Sequence, residues 1–124
     1  MKAISIKQPW AYAILHLGKN IENRTWKTNY RGRVLIHASK NFDNIGFQAM
    51  IKICPYLDFK LLNSIKNSPR GCIVGAIDIV GCVSYSTTSW FFGPYGWVLE
   101  NPQSISPIPY KGQLGFFDVE GVSV

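Results

Sequence analysis

The hydrophobic positions change their period several times along this chain, and each change marks an element. Residues 3–6 alternate small or polar residues with Ile and predict a short strand. Gln8-Pro9 then opens a helix, because proline suits the first helical position. Trp10, Ala13, Ile14 and Leu17 recur at helical spacing as its buried stripe, and Gly18 supplies the stop. Tyr12 and His16, four apart, share a different face. Residues 19–32 are polar and aromatic, with no sustained period, and predict a loop or irregular edge. Over 34–39 the alternation returns, with Val34, Ile36 and Ala38 on one face and Leu35, His37 and Ser39 on the other.

Residues 43–54 are periodic as a helix, with Asp43 as cap and Pro55 as end, and residues 58–66 form a second short helical stretch. Residues 67–71 predict a turn. Residues 72–83 are the longest strand candidate, in which Gly75 and Gly81 mark bends or bulges. Residues 84–96 read as a long loop, 96–100 as a strand, 101–112 with three prolines as a surface connection, and 113–120 as a last strand. Five strand candidates, an early helix and a helical insertion over 41–69 predict an α+β fold built on a small closed or nearly closed barrel. A length of 124 residues fits one domain spanning 1–124.

Composition changes this picture mainly through charge. The net charge is +6, and it is unevenly placed: residues 1–40 hold eight Lys or Arg against Glu22 alone, whereas 41–124 hold five bases against six acids. The basic stretch is interleaved with Trp10, Tyr12, Trp26 and Tyr30, a mixture that suits a phosphate backbone and unstacked bases. An ordinary solvated basic face has the same composition. Three cysteines with no Cys-x-x-Cys spacing, and two histidines with no cysteine nearby, give neither a disulfide framework nor a metal site. A reducing, cytoplasmic compartment is therefore expected, with no cofactor and no membrane partner, since the N-terminus lacks an apolar leader and no long basic amphipathic helix is present.

The residues with the sharpest pattern are Ile4-Ser-Ile-Lys-Gln-Pro-Trp-Ala11, Gly18-Lys-Asn-Ile-Glu-Asn-Arg-Thr-Trp26, Tyr30-Arg-Gly32 and Leu35-Ile-His-Ala38. Together they resemble the ASCH domain, named for homology to an activating signal cointegrator. Its hallmark is Gly-x-Lys-x-x-Glu-x-Arg. Lys19, Glu22 and Arg24 match it, while Leu17 holds the hallmark's glycine position and Gly18 directly precedes Lys19. The resemblance continues through residues 69–83, 95–102 and 111–117, and so runs over nearly the whole chain. It implies a PUA-like barrel of about five to six strands with helices packed on it and a cleft beside it.

In such a cleft, a partly desolvated Lys19 has a lowered pKa and suits general-base work; left charged, it pairs a phosphate or an oxyanion. Glu22 holds the ammonium or shuttles a proton, and the planar fork of Arg24 grips phosphate or stacks on a base. The same trio also serves as a plain charge cluster that fixes its loop. Tyr12 is a candidate acid/base partner or stacking platform, against a simple boundary tyrosine. Lys7, Trp10, Trp26, Tyr30, Arg31 and Arg33 are the further candidates for nucleic-acid contact. His37 reads as a satisfied barrel histidine, Trp97 as core, and Trp90, in its long loop, as freer. The expected partner is single-stranded RNA or a modified nucleoside, bound by a non-catalytic module or cleaved without a metal. Members of the family resemble ribonucleases or amidohydrolases acting on N4-acetylcytidine. In the small amidohydrolases a threonine stands where Glu22 stands here. A protein-interaction module, as in the cointegrator-type members, is the third reading.

Overall fold

The computed structural model describes residues 1–124 as nine elements: β1 (Lys2–Gln8), α1 (Trp10–His16), β2 (Ile21–Arg24), β3 (Gly32–Phe42), α2 (Asn44–Ile53), α3 (Phe59–Lys66), β4 (Cys72–Val83), β5 (Tyr95–Pro109) and β6 (Phe116–Asp118). All six strands join one mixed sheet in the order β2-β5-β4-β3-β1-β6. The β1–β3 pair is parallel and every other pair is antiparallel.

Alternation places each strand residue on one of two faces, and each face contributes to a buried cluster. Ile4, Ile6, Val34, Ile36 and Ala38 join Val74, Ile77, Ile79, Trp97 and Leu99 in the main core, under Ala11 and Ile14 of α1. Ala3, Leu35, Ile73, Ala76 and Phe117 turn to the opposite face, where Val119 and the chain ends cover them. The terminal ammonium of Met1 donates to the Val119 carbonyl at 2.8 Å, and the Val119 N–H donates to the Met1 carbonyl at 2.8 Å. The helices α2 and α3 start where Asp43 and Asp58 accept from the Gly46 and Leu61 N–H groups. They build a separate cluster around Phe47, Met50, Cys54 and Ile65, which also takes in Ala13, Ile21 and Trp90. No helix is long and apolar enough to cross a membrane.

Three expectations are corrected here. Within 19–32, expected as a loop or irregular edge, Ile21–Arg24 is a regular edge strand paired with β5. Four paired residues with one apolar side chain carry too little periodicity to be recognised. The expected connection 101–112 is strand as far as Pro109. Past Val98 the strand β5 has β4 alone as neighbour, so its prolines lie on a sheet edge, where a missing N–H is tolerated. The last strand shrinks from 113–120 to Phe116–Asp118.

The sheet curls without closing, because no ladder joins β2 to β6. Aromatic rings bridge the two ends instead. Phe116 of β6 stacks on Trp97 (5.5 Å, 6°) and on Tyr30 (4.8 Å, 24°), and Trp26 stands edge-on to Trp97 at 4.7 Å.

Gly75 and Gly81 each sit at a register shift, as their bulge-forming chemistry suggested. A Cβ on Gly75 would lie 2.5 Å from the Gln103 carbonyl oxygen and 2.7 Å from Leu15 Cδ2. Gly75→Ala is therefore expected to cost about 1–3 kcal/mol, measured as a lowered urea midpoint. Gly81→Ala, whose Cβ would meet Val98 at 3.4 Å, is expected to cost less.

Candidate functional site

The seam where the sheet fails to close is a cleft of about 780 Å³. One wall comes from β1 and β3, in parallel register with Ser5 opposite His37. Alternation then sends Ser5 and Lys7, and His37 and Ser39, to the same side. The other wall is β2 with the loop that carries Phe92, and the segment Lys111–Leu114 crosses the top.

Lys19, Glu22 and Arg24 lie together in the cleft. The chain turns at Gly18 (φ 75°), which folds Lys19 back beneath α1 before β2 begins. The pair is thus neither helical nor extended, yet Lys19 Nζ is 3.6 Å from Glu22 Oε1. The ammonium donates to the Ile21 carbonyl and lies 5.2 Å from the centre of the Trp10 ring. Its side chain is only 1% exposed, and burial holds its pKa below the usual 10.5, against the opposing pull of Glu22. Glu22 Oε2 pairs with Arg24 Nη2 at 3.1 Å. The same Nη2 donates to the Ser5 carbonyl at 2.9 Å, and the guanidinium lies 5.3 Å from the Trp97 ring centre. One edge of the sheet is thereby tied to β1 across the seam. Arg24 Nε is the sole buried side-chain donor without a partner.

Beside this trio, Ser5 Oγ and His37 Nδ1 are 2.9 Å apart, and His37 Nε2 is 2.6 Å from the Tyr110 carbonyl. A carbonyl can only accept, so Nε2 carries the proton and, in the neutral ring, Nδ1 accepts from the serine hydroxyl. Gly112 covers the pair closely; a Cβ there would lie 2.6 Å from His37 Cε1 and 2.7 Å from Ser5 Oγ. Asp43 also faces the cleft, with Oδ2 accepting from Trp10 Nε1 at 3.0 Å and Oδ1 capping α2.

Lys7, Trp10, Lys19, Glu22 and Arg24 thus share one site. The other candidates fall elsewhere. Tyr12 packs against His16 (4.6 Å) in a smaller pocket that also involves Gln8 and Ser68. Trp26 and Tyr30 bridge the ends of the sheet, and Tyr30 donates its hydroxyl to the Arg33 carbonyl. Arg31 donates to the Thr28 and Tyr30 carbonyls. Arg33 ties β3 to Asp78, Asn101, Gln103 and the terminal residue Val124. Hydrogen bonds from Asn101 and then Arg33 hold the Asp78 carboxyl below its usual 3.8. Trp90 is not free but 7% exposed, edge-on to Trp10 at 6.4 Å.

Sequence reasoning missed Lys40, Lys111, Asn23 and Phe92, which also line the cleft. Lys40 lies in β3 past the expected strand end, next to Ser39, and Lys111 sits beside Gly112; neither position carried a stronger signal.

An open mixed sheet with a cleft at its seam, floored by Lys19, Glu22 and Arg24, defines an α+β domain of one class. The ASCH domain model matches residues 4–121, and the chain belongs to that family. Among curated relatives, activating signal cointegrator 1 of Homo sapiens is 28% identical over 122 residues, covering 88% of this chain and 20% of that protein. The Mus musculus protein of the same name is 27% identical over the same length. The chain spans about a fifth of the length of these relatives.

The buried lysine makes stability depend on pH. The unfolded chain holds the Lys19 proton more tightly than the folded one, so the unfolded state binds more protons in the window between the lowered native pKa and 10.5. The burial penalty is full below that window and fades as pH rises through it. In urea titrations, wild type is therefore expected to gain stability relative to Lys19→Met as pH climbs towards 10.5. Parallel pH curves would contradict this.

Proposed function

We propose that the cleft binds single-stranded RNA or a nucleotide-like ligand, with phosphates on Lys7, Lys40 and Lys111. One observation carries this reading. The lining holds five basic side chains against two acids, and both acids are already engaged. Glu22 is paired with Lys19 and Arg24, and Asp43 is occupied by Trp10 and the α2 cap. Lys7, Lys40 and Lys111 have no carboxylate within ion-pair reach. Three unpaired cations around a cleft attract a polyanion. Membership of the ASCH family supports the same reading.

The test is binding of a labelled single-stranded oligoribonucleotide across a salt series. Wild type is expected to weaken linearly in log–log form. Lys7→Ala/Lys40→Ala/Lys111→Ala is expected to flatten the slope by about 2, at about 0.7 per lost phosphate contact. Salt-independent binding would overturn the reading.

A second reading rests on Lys19. Burial favours its neutral amine, which can take a proton from a nucleophile during hydrolysis of RNA or of an acylated nucleoside such as N4-acetylcytidine. Glu22, 3.6 Å away, is its proton partner. Tyr12 lies outside the cleft and has no part in this reading. Incubation of each substrate in EDTA is expected to show turnover that falls about 100-fold or more in Lys19→Ala. Undiminished turnover in that variant would remove Lys19 from the chemistry.

A further inference from the structure

The lysines of the cleft account for phosphate but not for a base. Phe92 carries an inference on that point. It lies on the cleft wall formed by the loop before β5, and 57% of it is exposed. A single exposed apolar side chain is common in itself. What sets this one apart is how tightly its backbone is fixed while its ring stays in water.

The fixing is done by Asn23 of β2. Alternation turns Glu22 and Arg24 to one side of that strand and Asn23 towards the loop. Its carboxamide oxygen accepts from the N–H groups of Phe92 at 2.8 Å and Gly93 at 3.1 Å. Its amide nitrogen donates to the Trp90 carbonyl at 3.0 Å. Gly93 adopts φ 75°, a conformation that side chains disfavour, so the turn after Phe92 suits glycine. On the near side, Trp90 is buried. Phe92 itself leans against Trp10, with centroids 6.1 Å apart and planes at 56°. The Trp10 indole is held in turn by Asp43. The Phe92 backbone and the Trp10 ring behind it are thus each held by hydrogen bonds, and the Phe92 ring is largely exposed where it lines the cleft.

A flat apolar surface, anchored through its backbone beside unpaired lysines, matches the requirement of an unstacked base whose phosphates are held nearby. Stacking on such a platform is tolerant of base identity, because every base has a π-face. Resting on the nucleic-acid reading above, we infer that Phe92 is the stacking platform for one nucleobase and that Asn23 is the residue that positions it. The ligand class is then a nucleotide with an accessible base, not a bare polyanion.

The experiment measures binding of two probes, a single-stranded oligoribonucleotide and an abasic oligonucleotide of the same length, over a salt series. Wild type is expected to prefer the base-bearing probe. Phe92→Ala is expected to weaken that probe about 5- to 100-fold, leave the abasic probe unchanged and keep the salt slope. Phe92→Trp is expected to retain binding. Asn23→Ala is expected to weaken the base-bearing probe in the same direction, and the double variant to be no weaker than Phe92→Ala, since the two act through one contact. Should Asn23→Ala fail to fold by circular dichroism, the two Phe92 variants decide the matter, because that side chain lies largely in solvent. Salt-dependent binding that is indifferent to Phe92 or to removal of the bases would overturn this inference and leave the nucleic-acid reading standing. Absence of salt-dependent binding in wild type would overturn both.

Discussion

A sheet that curls without closing is the constraint from which the site follows. Six strands of this length bring the ends of the sheet near each other, but β2 and β6 make no ladder. Side chains replace the missing hydrogen bonds. At one end, Phe116 stacks between Trp97 and Tyr30. At the other, Arg24 reaches from β2 to the Ser5 carbonyl. Between these two fastenings the seam stays open, and the open length is the cleft.

Two of the charges that line this seam are buried. Lys19 is nearly inaccessible and Glu22 is 8% exposed. Two such charges are tolerated because each has a partner, and the chain Lys19–Glu22–Arg24–Ser5 carbonyl leaves no carboxylate oxygen facing apolar atoms alone. Burial and pairing act on Lys19 in opposite senses, and burial is the larger. Glu22 consequently does two jobs with its two oxygens. One restrains an ammonium that burial is pushing towards neutrality, and the other aligns the guanidinium that ties the sheet. In the neighbouring Ser5–His37–Tyr110 line both ring nitrogens of His37 have partners, which agrees with reading His37 as a satisfied scaffold residue.

Much of the fold was legible in the sequence because its signals are local. Asp43 and Asp58 cap their helices, Pro55 follows the end of the first, and Cys72–Val83 forms one strand with bulges at its glycines. The hallmark trio was legible as a pattern, although its geometry was not, since the turn at Gly18 brings Lys19 to Glu22 by a route that neither a helix nor a strand would take. What stayed hidden depends on distant neighbours. Where the Arg33 guanidinium lies is set by Asp78, Asn101, Gln103 and Val124, all far along the chain. Trp90 lies in a loop yet is buried, because α1 supplies the Trp10 ring it meets. Phe92 is ordinary in the sequence and becomes notable only when Asn23, 69 residues away, is seen to hold its backbone.

The long strand β5 has a further consequence. Past Val98 it runs beside β4 with its other side open, a row of backbone groups on which a foreign strand could build. Pro102, Pro107 and Pro109 interrupt that row, each removing one donor, and Asn101 twists the chain at φ 56° where the open stretch begins. An incoming chain therefore meets a broken template. The residues that hid this strand from the sequence are thus the same ones that make its open edge a poor template for pairing.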